Sequence, residues 1–270
     1  QDANYELLGT TTARATIGKT ETVLLRADSG RYDRGDALQV RLAHGSVESI
    51  GEEALLAGGN LAALGCGTPE NWELIQFQMA ELIDTDTYLL SGRLRGQRGS
   101  EANMPDAWPA GSYFVLLDGV PKQLDLASST RGLSRHYRVG AARRGYDDPS
   151  YKHFALAFSG VGLKPYAPVH MKALRDVGGD LALSWVRRTR VDGDSWDALE
   201  VPLGEESEAY LVRVLSAGQV VREISVSNPE WMYSAAEQAL DGVEARFEVS
   251  VAQVSAPYGA GYFGSLTIMA

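Results

Sequence analysis

The sequence predicts a mainly β protein, with an N-terminal β-rich domain and a C-terminal fibronectin type III-like β-sandwich. Short apolar runs recur along the chain, and turn residues separate them, as expected of short strands. Glycine accounts for 29 of 270 residues, above its average share of about 7%, which indicates many turns. Strand candidates are evenly spaced towards the C-terminus, a pattern typical of a sandwich.

The strand pattern also indicates how the chain divides. A chain of 270 residues accommodates two domains of roughly 100–200 residues each. The pattern is clear over residues 1–120 and again over residues 165–270. Residues 121–164 instead mix arginines, aromatics and turn residues, as in RHYRVGAARRGYDDPSYKHF. We therefore predict an N-terminal domain, a connector with short strands, and a C-terminal domain, with these boundaries.

The N-terminal domain is predicted from short runs of strand-forming residues. The strands expected in chain order are residues 22–26 (TVLLR), 37–42 (ALQVRL), 46–50 (SVESI), 87–94 (TYLLSGRL) and 112–117 (SYFVLL). Glycines and aspartates between these runs supply turns. The sequence therefore predicts a sheet of several short strands in this part of the chain.

Residues 72–83 fit two patterns. A helix would place Trp72, Ile75, Met79, Leu82 and Ile83 on one stripe. A strand would place Ile75, Phe77 and Met79 on one face. The turn at residues 84–86 leads directly into the next strand, residues 87–94, and we favour the strand over the helix.

The C-terminal domain has the most regular pattern. Its strand candidates are residues 181–185, 210–215, 220–226, 247–254 and 264–269, and residues 234–240 could form one short helical turn. About seven strands in about 100 residues are typical of an immunoglobulin-like sandwich. The chain has one cysteine, Cys66, so no disulfide can join the two sheets. The fibronectin type III variety is therefore the better fit.

The charge and composition of the chain argue against binding of nucleic acid and against a membrane-spanning segment. The net charge of −10 and the pI near 4.9 lack the basic footprint of duplex-binding proteins. We therefore expect no sequence-specific binding of nucleic acid. No run approaches 18 consecutive apolar residues, so we expect no membrane-spanning segment.

No motif predicts catalysis, a cofactor or a metal with any strength. Residues 259–264 (GAGYFG) match G-x-G-x-x-G, but only SLTIMA follows, which leaves no room for the helix of a dinucleotide site. Residues 192–197 (DGDSWD) carry three acids but lack the distal Glu of a calcium loop, so we interpret them as a turn and leave calcium open. The four histidines form no zinc motif. We expect no cofactor and no enzymatic activity in this segment.

Clustered arginines and aromatics are the candidate interaction residues. The interface candidates are Arg187, Arg188, Arg190, Arg143, Arg144, Trp108, Tyr258 and Tyr262. Arginine pairs well with carboxylates of neighbouring domains or subunits. Glu205, Glu206 and Glu208 follow the first cluster closely and are its expected partners. Aromatic side chains anchor interfaces and also stack on sugars.

Three stretches carry a family resemblance. Residues 73–101 (ELIQFQMAELIDTDTYLLSGRLRGQRGSE) are similar to a run in phage-like tail-tip proteins, with Ser100 where Thr is usual. Residues 45–60 resemble the block that precedes this run. Residues 162–190, which end in SWVRRTR, resemble the fibronectin-like domain of the gene transfer agent baseplate protein. The resemblance covers most of the chain, which is thus similar to the C-terminal segment of that protein, also called a host specificity protein.

The resemblance implies a structural role. In that family a TIM-barrel-like domain lies upstream, so its hydrolase-like character does not transfer to these residues. The resemblance implies a tail-tip (baseplate) component that contributes to host attachment and DNA delivery through protein–protein contacts. It further implies other tail-tip proteins as partners and a homotrimer around the tail axis. Such a particle is assembled in the bacterial cytoplasm and released extracellularly.

Two alternative functions stay open. Exposed aromatics would suit a carbohydrate-binding module that recognises a glycan or receptor of the host cell envelope. The acidic composition would also suit a fragment of an exported glycoside hydrolase, which needs two carboxylates facing each other across a cleft.

Overall fold

The chain divides into two compact units, Gln1–Gly160 and Val161–Ala270, in a computed structural model. The structure describes residues 5–193 and 201–269. Strands dominate both units, which confirms the predicted mainly β class. Within the described residues, no helix is both long and apolar enough to cross a membrane.

The first unit is built around a closed antiparallel sheet. Its strands are β1 (Ile17–Thr20), β2 (Leu24–Leu25), β3 (Tyr32–Asp33), β4 (Leu38–His44), β5 (Leu61–Gly65), β6 (Trp72–Asp84), β7 (Thr87–Leu94), β8 (Ala107–Trp108), β9 (Tyr113–Leu116), β10 (Ser134–Val139) and β11 (Lys152–Ala157), with helix α1 (Glu52–Leu56) between β4 and β5. Six strands follow the order β7-β4-β1-β9-β5-β6, and β6 returns to β7 to close the ring. β3 extends the edge of β7, and β2 pairs with β8.

Apolar residues from these strands fill the interior of the first unit. The buried cluster comprises Leu24, Leu38, Val40, Leu42, Val47, Ala62, Leu64, Ile75, Phe77, Leu90, Trp108 and Phe114. Burial alternates along β4, as expected of a strand with one face on the core. The strand interpretation of residues 72–83 is confirmed, because β6 is a 13-residue strand paired with both β5 and β7.

Two of the predicted strands differ from the structure. Residues 46–50 form no strand, although Val47 is buried as the alternation predicted. Their backbone is held by isolated contacts instead: the Asn60 amide donates to the Glu48 carbonyl at 2.8 Å, and the Ile50 N–H donates to the Gln78 carbonyl at 2.9 Å. Of residues 22–26, only Leu24–Leu25 form a strand, β2, because its partner β8 is itself two residues long.

A buried charge network lies inside the first unit. Glu73 on β6 and Arg95, just after β7, are both fully buried and form a bidentate pair with N–O distances of 2.7 and 2.9 Å. The Trp108 indole donates to the second Glu73 oxygen at 2.6 Å. The Gly96 N–H donates to the first Glu73 oxygen at 3.1 Å. The buried carboxylate therefore accepts four hydrogen bonds.

Asp33 extends this network to the edge strand β3. It accepts from Arg93 at 3.0 Å and from Arg95 at 3.3 Å. Burial alone would raise the pKa of Asp33, but hydrogen bonds from Arg93, the Gly35 N–H and Arg95 outweigh it and leave the pKa lowered. Asp33 thus stays ionised, and the network holds two cations against two carboxylates.

The loop after β7 presents Arg95 and Gly96 to Glu73. Gly96 and Gly99 have φ angles of 59° and 78°, and Arg98 has a φ of 52°. A Cβ at Gly96 would lie 2.7 Å from the Cβ of Glu101, so glycine is required there on both grounds. The Ser100 hydroxyl donates to the Gln97 carbonyl at 2.7 Å and accepts from the Leu74 N–H at 2.8 Å. The LRGQRGS motif is therefore a structural turn that delivers Arg95 to the interior.

The second unit is a β-sandwich. Its elements are β12 (Val169–Arg175), β13 (Leu181–Val186), β14 (Tyr210–Ser216), β15 (Gln219–Val226), β16 (Glu230–Tyr233), α2 (Ala235–Asp241), β17 (Arg246–Ser255), β18 (Gly259–Ala260) and β19 (Gly264–Met269). One sheet has the order β12-β13-β16, and the other has β15-β14-β17 with β18 and β19 paired to β17. A sheet of the first, second and fifth strands facing the remaining strands is the order of a fibronectin type III domain, as predicted.

The core of the second unit lies between these sheets. β13 alternates strictly, with Leu181, Leu183 and Trp185 buried. The Trp185 ring meets Tyr210 of the opposite sheet edge-on, with centroids 5.3 Å apart. The predicted helical turn is α2, which begins with a capping box between Ser234 and Glu237.

Breaking the buried pair is expected to destabilise the first unit strongly. Arg95→Ala leaves the Glu73 carboxylate buried without its cation, and such losses cost about 3–5 kcal/mol. The control is Arg31→Ala, because Arg31 pairs with Asp28 on the exposed surface at 3.6 Å; its effect is expected within about 0.5 kcal/mol. Hydrogen exchange of the β6 and β7 amides measures both. Equal exchange rates in the two variants would contradict a central role for the pair.

Trp185→Ala tests the sandwich core. The side chain is buried between the two sheets, so the change removes a large aromatic and leaves a cavity. We expect a loss of about 3–5 kcal/mol in the free energy of unfolding. Hydrogen exchange of the β13 and β14 amides reports the loss. A loss below about 1 kcal/mol would mean that the core tolerates the cavity and that the ring contributes little.

Candidate functional site

The arginines that follow β13 each reach a different segment of the second unit. Arg187 donates to the carbonyls of residues 201 and 202 at 2.8 and 3.0 Å, and it lies 3.7 Å from Glu208. Arg188 donates to the Ala167 carbonyl at 2.8 Å and stacks over the Tyr166 ring. The two neighbours therefore contact different segments of the unit.

Arg190 makes the most buried ion pair of this cluster. Its Nη2 lies 2.7 Å from Glu205, whose side chain is 5% exposed, while Arg190 is 16% exposed. Its guanidinium also lies over the Tyr258 ring, 5.7 Å from the centroid. Two of the three predicted carboxylate partners, Glu205 and Glu208, thus contact the cluster.

The cluster also perturbs a tyrosine. The Tyr210 hydroxyl donates to Glu208 at 2.7 Å. Burial first, and then this hydrogen bond, raises the pKa of Tyr210 well above its usual value. Arg187, Glu208 and Tyr210 therefore form a connected polar chain from the surface to the sandwich core. This arrangement fixes the strand end and its neighbouring segments.

The remaining candidates lie in different environments. Arg143 and Arg144 are exposed, and Arg144 pairs with Asp148 at 3.2 Å. Tyr262 is partly buried, with its hydroxyl 3.5 Å from the Val161 carbonyl. Trp108 was expected at an interface, but the structure buries it in the first unit against Glu73. Its indole needed a buried acceptor, and Glu73 supplies one.

Residues 259–264 form β18 and the turn into β19 with no helix after them, so the dinucleotide interpretation is excluded. Of the acidic run 192–197, residues 194–197 lie outside the described residues. Within the part of the chain that the structure describes, no group of three or more His, Cys, Asp or Glu side chains could hold a metal ion. A shallow cleft beside β12 and β19 is lined by residues such as Met171, Leu181 and Leu266, with no carboxylate in its lining.

The strand patterns in the sequence did not identify the buried network of Asp33, Glu73, Arg93 and Arg95. The available signal was a pair of arginines two residues apart at the end of a predicted strand, a spacing that favours one face. Glu73, next to the apolar residues at the start of β6, was the second signal. Neither identified the partner, because Asp33 lies 60 residues before Arg93 in the chain.

The strand orders define the class of protein: two β units, of which the second is a fibronectin type III-like sandwich. Residues 15–115, which contain the closed sheet and the buried network, match the family model described as Rcc01698-like, C-terminal. A search of curated proteins found no match.

Solved structures share only a distant likeness. Domains d3–d4 of the rat CD45 extracellular region are 11% identical, with 56% of this chain and 70% of that chain covered and a TM-score of 0.31. The FN1–FN3 domains of chicken CNTN1 are 13% identical, with 93% and 65% covered and a TM-score of 0.28. A two-domain fibronectin type III segment of chicken tenascin is 8% identical, with 93% and 99% covered and a TM-score of 0.28. At such scores the strand order itself remains the basis of the fold assignment.

The Arg190–Glu205 pair gives a testable measure of the cluster. Arg190→Ala leaves the Glu205 carboxylate nearly buried without its charged donor, so we expect a loss of about 1–3 kcal/mol in the stability of the second unit. Adding Glu205→Ala should recover part of this loss, since the stranded acceptor is removed. The exposed Arg143→Ala serves as control, with an expected change within about 0.5 kcal/mol. Urea unfolding measures all four chains, and an Arg190→Ala chain that unfolds like the control would show that the pair contributes nothing.

Proposed function

We propose that this chain is a structural component of the tail tip of a phage-like gene transfer particle, acting through protein–protein contacts. The observation that carries the proposal is the match of residues 15–115 to the Rcc01698-like, C-terminal family model. The resemblance of residues 162–190 to the gene transfer agent baseplate protein supports extending the proposal to the second unit. The proposed role is to help assemble the baseplate, attach it to the host and open the route for DNA.

The charge of the chain suits such a role. A net charge of −10 repels a nucleic acid backbone, so DNA could pass beside this surface without being held. The buried network gives the first unit a rigid framework, and the sandwich provides a second folded unit. Other baseplate proteins are the proposed partners of both units, with three copies around the tail axis as the proposed arrangement.

Particle assembly tests the proposed function. Deleting the coding segment in a particle-producing strain is expected to give particles without a complete tail tip and to reduce gene transfer to background. Complementation with the intact chain should restore both. We also expect Arg188→Ala to melt like the parent but to enter particles less efficiently, whereas Arg143→Ala should both melt and enter particles like the parent. Normal tail tips and transfer without the segment would contradict the proposal.

A glycan array separates this role from the carbohydrate-binding alternative. The structural role predicts no binding of envelope glycans by the purified chain. Selective binding that is lost on changing one exposed aromatic, such as Tyr146, with assembly intact, would favour the alternative.

A further inference from the structure

The hairpin of β10 and β11 stands apart from the other sheets of the first unit. These two strands pair only with each other among the described strands. Every residue of β11 is exposed, and β10 is exposed or partly so throughout. An isolated two-stranded hairpin is at best marginally stable in water. We call this hairpin the arm, and its exposure indicates that it requires a surface to pack against.

One face of the arm is apolar with cations at its corners. Residues directly opposite in an antiparallel pair share a face, so the register groups Arg135 with Leu156, Tyr137 with Phe154, and Val139 with Lys152. Val139 is 62% exposed and Phe154 is 45% exposed. We call these six residues the arm face.

The opposite face of the arm is already engaged locally. His136 Nδ1 lies 2.9 Å from His153 Nε2, with the two rings stacked. Arg138 donates to the Tyr146 carbonyl and lies over the Tyr5 ring. The arm face is therefore the side available to a partner.

The arm is positive on a negative chain. Residues 131–157 contain six Arg or Lys and two Asp, a net charge of +4, within a chain of net charge −10. The rest of the chain therefore carries −14. This asymmetry favours an acidic protein surface as the partner of the arm face.

The chain itself carries a surface of that kind at the end of the hairpin formed by β6 and β7. There Met79 is 50% exposed and Leu82 is 61% exposed, and Ile83 is also exposed. The exposed acids at this end of the hairpin are Glu81 and Asp84 on β6 and Asp86 in the turn. We call these six residues the acidic tip. It combines exposed apolar side chains with negative charge, as the arm face combines them with positive charge.

We propose that the arm face of one copy docks on the acidic tip of a second copy. The proposal deepens the structural role proposed above and rests on it, because it names the contact through which copies associate. Arm-to-arm packing is disfavoured, since it brings Arg135 and Lys152 of two copies together. An arm-to-tip contact is head-to-tail, and such contacts generate closed rings when the rotation permits.

Charge reversal in the intact chain tests the contact. The parent should self-associate in sedimentation equilibrium, more weakly at high salt because the contact is partly ionic. The arm variant R135E/K152E, and separately the tip variant E81K/D84K, should weaken association by roughly 100-fold or more, because like charges then face each other. The chain carrying all four changes has both signs reversed and should associate like the parent. F154S/L156S should also weaken association without changing the charge.

The control is K122E/K172E, which changes the net charge by the same amount as the arm variant but lies outside both surfaces. It should associate like the parent, and circular dichroism should show all variants folded.

A parent chain that stays monomeric at all concentrations and salt conditions would overturn the proposal. So would a chain with all four charge reversals that does not regain the association of the parent. Unchanged association of the arm variants, combined with their loss of retention on heparin, would identify an anionic polymer as the occupant instead. This experiment measures self-association and not incorporation into particles. It can therefore disprove the contact between copies without disproving the tail-tip role.

Discussion

The bidentate pair between Glu73 and Arg95 is the interaction on which the first unit depends. Both groups are fully buried, and a buried charge is tolerated only when it is paired and hydrogen-bonded. The pair joins β6 to the loop after β7, Trp108 adds β8, and the Leu25 carbonyl, which accepts from Arg95 at 2.7 Å, adds β2. The network therefore specifies the relative placement of segments that the closed sheet alone would leave to apolar packing. Apolar packing tolerates small shifts of one segment against another, whereas a bidentate ion pair requires its two groups to keep one relative position.

The second unit uses ion pairs in a different way. Arg222 lies at its edge, donating to Asp241 at 2.6 and 3.1 Å and to Glu237 at 3.1 Å, so it ties β15 to α2. Arg187 and Arg190 act similarly at the end of β13. These pairs are partly exposed and secure surface segments onto a core that is already apolar. The first unit thus has an ion-pair network in its interior, whereas the ion pairs described for the second unit lie at its surface.

Much of the fold could be predicted from the sequence, because alternation and turn residues are local signals. β6, β7, β13, β14 and β17 appear where the patterns placed them, as does α2. The strand expected at residues 46–50 failed because alternation reports burial, while a ladder also requires a neighbouring strand with free donors. The partners of Arg93 and Arg95 could not be predicted, because they lie far away in the chain. Trp108 was misplaced for the same reason: its polar partner was invisible in sequence.

The closed sheet has a consequence for the order of events during synthesis. β1 lies between β4 and β9, and Lys19 sits opposite Tyr113. The ring can close only after the ribosome has released the whole of β9, although β1 is among the first segments to emerge. At about 5–20 residues per second, the apolar face of β4, with Leu38, Val40 and Leu42, remains incompletely covered for seconds until Phe114 of β9 arrives. Folding of this unit is therefore governed by a long-range contact.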